Sequence, residues 1–317
     1  MKKLLLICLS ISISALSGCA SRSDYTEPED RIIVASVGID PLGTNLLLTA
    51  ECININKNSN ADEYGIMMLQ GVGENFAAAV TDLEKSADGD IIFSQCPILI
   101  LSSKLSGEQL KDIFLYAADN ESIPLAVRAV ATESASSLIN SNEDKQPAGY
   151  QIMNLMNFGD TTSGITENDT FVRIIDGQYT GGSIYKLPYI NYSGGYKIDG
   201  AAVFRETGCE NILNYTDAQL LYLLCNDLES CKIVLGGEVL AFKEGKTVLN
   251  LTGEIKTKIT LNNFEEIEDK SEAESELGEK ITAVLKTLAE NDLFSLIGGE
   301  GIDPNDVSVN VKIAGEL

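Results

Sequence analysis

Residues 32–55, IIVASVGIDPLGTNLLLTAECINI, hold two apolar runs separated by a short turn sequence. The runs at residues 32–40 and 46–55 are rich in apolar and β-branched side chains, so each predicts a strand. Pro41 and Gly43 favour a turn between the two runs. The folded part of the chain is therefore predicted to begin with a β-hairpin.

Beyond this hairpin, helical and strand patterns alternate. Apolar residues recur at helical spacing within residues 73–86, and the apolar run at residues 91–101 predicts one buried strand. Ser106, followed by Gln109 at the capping-box position, predicts the start of another helix. Residues 126–131 predict a further strand, which a short helix follows.

The second half of the chain continues this alternation. Residues 198–205 predict a strand, and Thr216 with Gln219 at the capping-box position predicts a helix start. Residues 248–262 alternate between apolar and polar side chains, which is typical of a half-buried strand. One face of that strand carries Ile255, Thr257, Ile259 and Leu261, and the other carries Lys256, Lys258 and Thr260. An amphipathic helix and a last strand at residues 307–313 complete the pattern.

Long strands and helices without regular βαβ units favour an α+β fold. We expect mixed sheets with packed helices in an N-terminal domain, residues 31–196, and a C-terminal domain, residues 197–317. The boundary is placed at the turn sequence of residues 191–195. A further division of the second domain, into residues 197–245 and 246–317, is an alternative.

The N-terminus predicts a bacterial lipoprotein signal peptide over residues 1–18. Two lysines precede an apolar run at residues 4–16 that is shorter than the ~20 residues needed to span a bilayer. The run ends in a lipobox, whose residues are Leu16, Ser17, Gly18 and Cys19. The small residues before the cysteine fit a lipoprotein signal peptidase, and an ordinary signal peptide is the alternative.

Cys19 is the predicted lipidation site. Its thiol would accept a diacylglyceryl group, and cleavage before it would make it the mature N-terminus. Two acyl chains give lasting membrane attachment, which a single chain does not. Residues 19–30 are polar and suit a tether between the bilayer and the folded body.

The charge balance is strongly acidic. The full chain carries a net charge of −24, and without Lys2 and Lys3 the predicted mature chain carries −26. Such a surface repels phosphates and anionic head groups, so nucleic acid binding is not expected. The lipid anchor is expected to hold the body at the membrane against this repulsion.

The sequence contains no pattern that predicts catalysis. The chain has no histidine, which removes His-based triads, Cys–His dyads and nearly all catalytic zinc sites. We therefore predict no catalytic residue, no metal site and no cofactor. Cys225 and Cys231 flank a predicted helix end, which leaves a disulfide between them and two free thiols as alternatives.

Several segments resemble the Ger(x)C family, the lipoprotein subunits of spore germinant receptors. The lipobox is followed by Val37-Gly38-Ile39-Asp40, which is similar to the family's early "GID" element. Gln95 stands where the family often has histidine. The further matching segments are residues 91–101 with the helix after Ser106, residues 199–205, 252–256, 291–294 and 307–315. The chain departs from the family at Ala20 and in the short stretch between residues 294 and 307.

The resemblance implies a non-enzymatic subunit on the outer surface of the spore inner membrane. It would act with two polytopic membrane subunits, A-type and B-type, in nutrient-triggered germination. Two other classes are alternatives. A lipid-anchored solute-binding protein of the cell envelope would need a pocket between two lobes, and an envelope hydrolase would need converging carboxylates in a cleft.

Overall fold

The computed structural model describes residues 31–54, 65–120, 124, 127–144, 146–159, 164–165, 174, 184–226, 230–235, 238–249, 254–261, 269–291, 293–297, 303 and 307–314. The helices in this part of the chain are α1 (Phe76–Glu84), α2 (Gly107–Asp119), α3 (Ala135–Asn140), α4 (Ala148–Gly159), α5 (Tyr215–Leu224) and α6 (Lys270–Glu290). The strands are β1 (Arg31–Leu42), β2 (Asn45–Asn54), β3 (Ile66–Gly73), β4 (Asp90–Ile92), β5 (Ile98–Ser102), β6 (Arg128–Thr132), β7 (Tyr185–Tyr192), β8 (Tyr196–Arg205), β9 (Gly208–Asn214), β10 (Cys231–Leu235), β11 (Glu238–Leu249), β12 (Glu254–Leu261) and β13 (Ser308–Ala314).

The first sheet has the order β3-β2-β1-β5-β6-β7-β8-β9, with β4 alongside β1. Pairing is antiparallel at both ends of the sheet and parallel from β1 through β7. β1 is buried along most of its length on both faces, which explains why its sequence is a nearly continuous apolar run. The predicted hairpin is confirmed by the β1–β2 pairing.

The second sheet has the order β10-β11-β12-β13. β10, β11 and β12 pair antiparallel, and β13 pairs parallel with β12. One face of this sheet packs against α5 and α6 through Ile255, Ile259 and Leu277. Two mixed sheets with packed helices confirm the α+β prediction.

Three local predictions need correction. The expected strand at residues 91–101 is divided into β4, a 3-10 turn at Phe93–Gln95, and β5. The Cys96 N–H is used within the turn, where it donates to the Phe93 carbonyl, and Pro97 has no N–H, so neither residue continues the ladder. The predicted strand at residues 248–262 is likewise the end of β11 followed by β12. The N-cap of α5 is Asn214, which accepts a hydrogen bond from the Asp217 N–H, and not Thr216. Gln219 is buried inside the helix, and its side-chain amide donates to the backbone carbonyl of Lys232 on β10.

β8 contributes buried residues to two of the hydrophobic cores. Ala202 and Phe204 point into the core between the first sheet and α1 and α2. Ala201 and Val203 point into the core that holds α5, α6 and the second sheet. The predicted domain boundary at residues 196 and 197 lies where the β7–β8 hairpin begins its return strand, within one sheet. That division stays a prediction, and the change from the first sheet to the second comes later, between β9 and β10.

Candidate functional site

The predicted lipidation residues lie outside the part of the chain that the structure describes. Leu16, Ser17, Gly18 and Cys19 all fall within residues 1–30. Their assignment therefore stays a prediction from the lipobox alone.

The cysteines that the structure does describe are free thiols: Cys52, Cys96, Cys209, Cys225 and Cys231. Of the two alternatives for Cys225 and Cys231, the structure has the free thiols. Burial raises the pKa of the Cys52 and Cys96 thiols to about 12. Thiols with such a high pKa are protonated at neutral pH and react poorly as nucleophiles. These two cysteines are packing residues of the first core.

The GID element of the sequence fixes α3 against β1. The Asp40 carboxylate accepts hydrogen bonds from the Ala135 N–H at 2.8 Å and the Ser136 N–H at 2.7 Å, at the start of α3. A Cβ on Gly38 would lie 3.0 Å from Cβ of Ala135 and 3.2 Å from the Ala135 carbonyl carbon, so a larger residue would crowd the start of this helix. Gly38 and Asp40 therefore both hold α3 against β1.

Glu51 on β2 holds the start of α4 in the same way. Its carboxylate accepts hydrogen bonds from the N–H groups of Ala148 and Gly149, at 2.8 and 3.1 Å, and from the Ser36 hydroxyl at 3.1 Å. Only 1% of the residue is exposed. Burial raises the pKa of this carboxyl, while the hydrogen bonds from the helix start act in the opposite direction. A Cβ on Gly149 would lie 1.9 Å from the Ala35 carbonyl oxygen, so the close approach of α4 requires glycine.

These two carboxylates occupy the helix N-termini that would otherwise attract an anionic ligand. Sequence reasoning did not single out either side chain for this role. The available signal was the charge of Glu51 in the middle of an apolar strand sequence. The partner helices lie 95 and 97 residues further along the chain, so the partners themselves could not be identified from sequence.

A buried lysine joins the first sheet to α5. Lys186 on β7 is 5% exposed, and its ammonium lies 4.8 Å from the ring centroid of Tyr222. This cation–π contact lies on the face of the first sheet that packs against the second core. It is a structural contact, because both residues are buried.

Within the described ranges, no group of three or more His, Cys, Asp or Glu side chains is arranged to hold a metal ion. The same residues include no helix that combines the length and apolar character needed to cross a bilayer. A solvent-open groove of about 520 Å³ lies beside Asp199, Asn214 and Tyr215, and another of about 510 Å³ lies between α6 and β13. The absence of catalytic function stays a prediction.

The solvent-exposed side of the second sheet carries five lysines, although the chain as a whole is strongly acidic. We call it the lysine face and define it by Lys232, Lys246, Lys256, Lys258 and Lys312, all of which are exposed. The alternation of β12 predicted that Lys256 and Lys258 share a face. The addition of Lys246 and Lys312 depends on strand register, which the sequence did not provide.

Comparison with known proteins gives one match. The model of the spore germination protein N-terminal domain matches residues 24–192, which is more than half of the chain. The match ends at the last residue of β7. No curated protein and no solved structure matches the chain.

Proposed function

The chain belongs to the Ger(x)C family of spore germination proteins, and from this membership we propose that it is the lipid-anchored, non-catalytic C-type subunit of a germinant receptor. The single observation that carries the proposal is the family match over residues 24–192. The resemblance of residues 199–205 and 307–315 to the family's later segments extends it toward the C-terminus.

The proposed attachment is a diacylated Cys19 on the outer surface of the spore inner membrane. Residues 19–30 tether the folded body to that anchor. A short flexible tether raises the effective concentration of a neighbouring partner to about millimolar. Even weak contacts with the two polytopic membrane subunits, A-type and B-type, are then occupied.

The proposed action is protein–protein contact and not chemistry. Two carboxylates that the fold buries, Asp40 and Glu51, have their oxygens engaged with helix N-termini. The buried thiols of Cys52 and Cys96 are held protonated by their raised pKa. These four buried side chains, which burial could otherwise make reactive, therefore contribute to the stability of the fold. This supports a non-catalytic role.

The experiment compares spores that carry Cys19→Ala with spores that carry Cys8→Ala. Cys8 lies in the same leader but outside the lipobox, so it is a matched control for the loss of a cysteine. Cys19→Ala should abolish most nutrient-triggered germination through this receptor, while Cys8→Ala should leave it unchanged. Germination by stimuli that bypass nutrient receptors should proceed normally in both.

A folding control separates anchoring from stability. Ile259 is 1% exposed in the second core, so Ile259→Asp buries an uncompensated charge and should remove the protein by unfolding. Cys19→Ala spores should instead keep normal amounts of folded protein. A normal response of such spores to every nutrient germinant would show that the anchored-subunit proposal is wrong.

A further inference from the structure

The lysine face contains a row of three like charges in strand register. Lys246 on β11 lies directly opposite Lys258 on β12, and Lys258 lies directly opposite Lys312 on β13. Neighbouring strands are about 4.8 Å apart, so the three positions span about 10 Å across the sheet. Lys256 lies two residues before Lys258 on the same side of β12.

This row is electrostatically unfavourable within the folded chain. Like charges directly opposite each other destabilise a pair of strands. Within the described residues, none of the three lysines of the row has a carboxylate at ion-pair distance, whereas Lys256 pairs with Glu254 at 2.9 Å. The described side chains of this face include five lysines against Glu244 and Glu254, in a chain with a net charge of −24. Among these described side chains, the positive charge of the row is left without neutralising carboxylates, so the face is suited to binding an anion from outside the protein.

We propose that the lysine face docks onto the surface of an anionic phospholipid bilayer. The inference deepens the proposed function and rests on it, because the Cys19 anchor brings the body within reach of the bilayer. The two parts are separable, since the face can be tested without the anchor.

The chemistry of the face favours lipid head groups over an acidic protein. All five of its cations are lysines, and none is arginine. Arginine is the residue suited to the planar, bidentate ion pairs of protein interfaces, where lysine is depleted. Lysine is a hydrated point charge on a flexible stem, which suits a layer of mobile phosphates. Val248, 47% exposed, lies in the next row opposite Lys256 and adds apolar surface beside the charges.

A second apolar pair lies on β10 and β11. Val234 and Val239 are directly opposite each other and are 57% and 52% exposed. Isolated exposed valines are ordinary, but here both members of a cross-strand pair face the same side as Lys232. Apolar side chains of this kind can enter the head-group layer once the lysines have brought the sheet to it.

Carboxylates on the far side of α5 and α6 do not cancel this attraction. α5 and α6 cover the opposite side of the second sheet, and a helix is about 10–12 Å across. Carboxylates on the far side of these helices are thus separated from the bilayer by more than the screening length, about 8 Å at physiological ionic strength. The net charge of the whole chain therefore does not describe the field at the lysine face.

The test is vesicle binding by the mature polypeptide, residues 19–317, with Cys19→Ser so that no lipid is attached. This chain keeps every residue that the structure describes. It should sediment with phosphatidylglycerol vesicles and not with phosphatidylcholine vesicles, and about 1 M salt should release it. The triple variant Lys246→Gln, Lys258→Gln and Lys312→Gln should bind phosphatidylglycerol vesicles roughly 100-fold more weakly, at about fivefold for each lysine.

A matched variant controls for total charge. Lys85→Gln, Lys104→Gln and Lys111→Gln remove three exposed lysines from the first-sheet region and change the net charge equally. This control should bind phosphatidylglycerol vesicles as the parent does. Circular dichroism should show both triple variants folded.

Three outcomes would overturn the inference. The first is equal binding to both kinds of vesicle, and the second is an equal loss of binding in the two triple variants. The third is the absence of vesicle binding together with saturable, salt-sensitive binding of an acidic polypeptide such as polyglutamate to the parent. None of these bears on whether Cys19 is acylated, so failure of the inference is distinguishable from failure of the proposed function.

Discussion

Lys258→Glu should stabilise the second sheet while weakening its binding to anionic vesicles. Lys258 is central in the row, so one substitution converts two repulsive cross-strand pairs, with Lys246 and Lys312, into attractive ones. Each opposite-charge pair on a sheet contributes about 0.2–1 kcal/mol, and removing each repulsion contributes a similar amount. Because all three side chains are exposed, the lower half of that range applies. With two pairs, each gaining an attraction and losing a repulsion, the expected gain in the free energy of unfolding is about 1–2 kcal/mol.

The assay is urea unfolding of the unlipidated mature chain, with hydrogen exchange of the β12 amides as a local probe. The midpoint should rise from the parent through Lys258→Gln to Lys258→Glu at low salt. The differences should shrink at about 1 M salt, where the screening length is about 3 Å. A Lys258→Glu protein that is no more stable than the parent, or a gain that salt does not reduce, would refute the reasoning that the row is repulsive.

Two further predictions concern the helix contacts of the first sheet. Burial raises the pKa of Glu51 in the folded state above its usual value of 4.5, so the folded state retains this proton more strongly than the unfolded state. The stability that this proton contributes is fully present below pH 4.5 and is lost as the pH rises through the folded-state pKa. The urea midpoint of the parent should therefore fall over this pH range, and the urea midpoint of Glu51→Gln should not show this fall. Gly149→Ala should prevent α4 from packing and cost several kcal/mol, because its Cβ would lie 1.9 Å from the Ala35 carbonyl oxygen. The control is Gly278→Ala inside α6, where the added Cβ would lie 3.8 Å from Cγ2 of Val311 and should stabilise the helix by about 0.5–1 kcal/mol. Thermal melting of both variants tests this prediction, and equal melting temperatures would contradict it.

Local patterns were predictable because the groups that decide them are close in sequence. Ser106 and Gln109 form both hydrogen bonds of the predicted capping box. The alternation of β12 also placed Ile255 and Ile259 in the core correctly. In each case the sequence contains the whole interaction, so no knowledge of the remaining chain was needed.

The errors arose where a distant partner decided between two local choices. Asn214 and Thr216 both stand three residues before a residue that suits the N3 position, and the helix begins after Asn214. Gln219, the expected capping-box partner, is instead taken by the Lys232 carbonyl on β10. The pattern alone could not rank two acceptable helix starts.

The two candidate sites differ in the same respect, because one depends on adjacent residues and the other on residues that are distant in sequence. Cys19 is predicted from adjacent residues, which is why the lipobox is informative without a fold. The row of Lys246, Lys258 and Lys312 exists only because three strands pair in one register, with β11 antiparallel and β13 parallel to β12. A shift of one residue in β13 would turn its lysine to the opposite face of the sheet.

The shared strand β8 limits how this protein can be recombined with its relatives. Its alternate residues fill two different cores, with Phe204 on one side and Val203 on the other. In a chimera joined at residue 192, where the family match ends, β8 from one parent would have to pair with β7 and pack into the first core of the other parent. A junction after β9 would keep β7, β8 and β9 paired as in the parent, and only the Ala201 and Val203 side of β8 would have to fit α5 and α6 of the other parent. Exchange of parts among such proteins is therefore expected to preserve β7, β8 and β9 as one inherited unit.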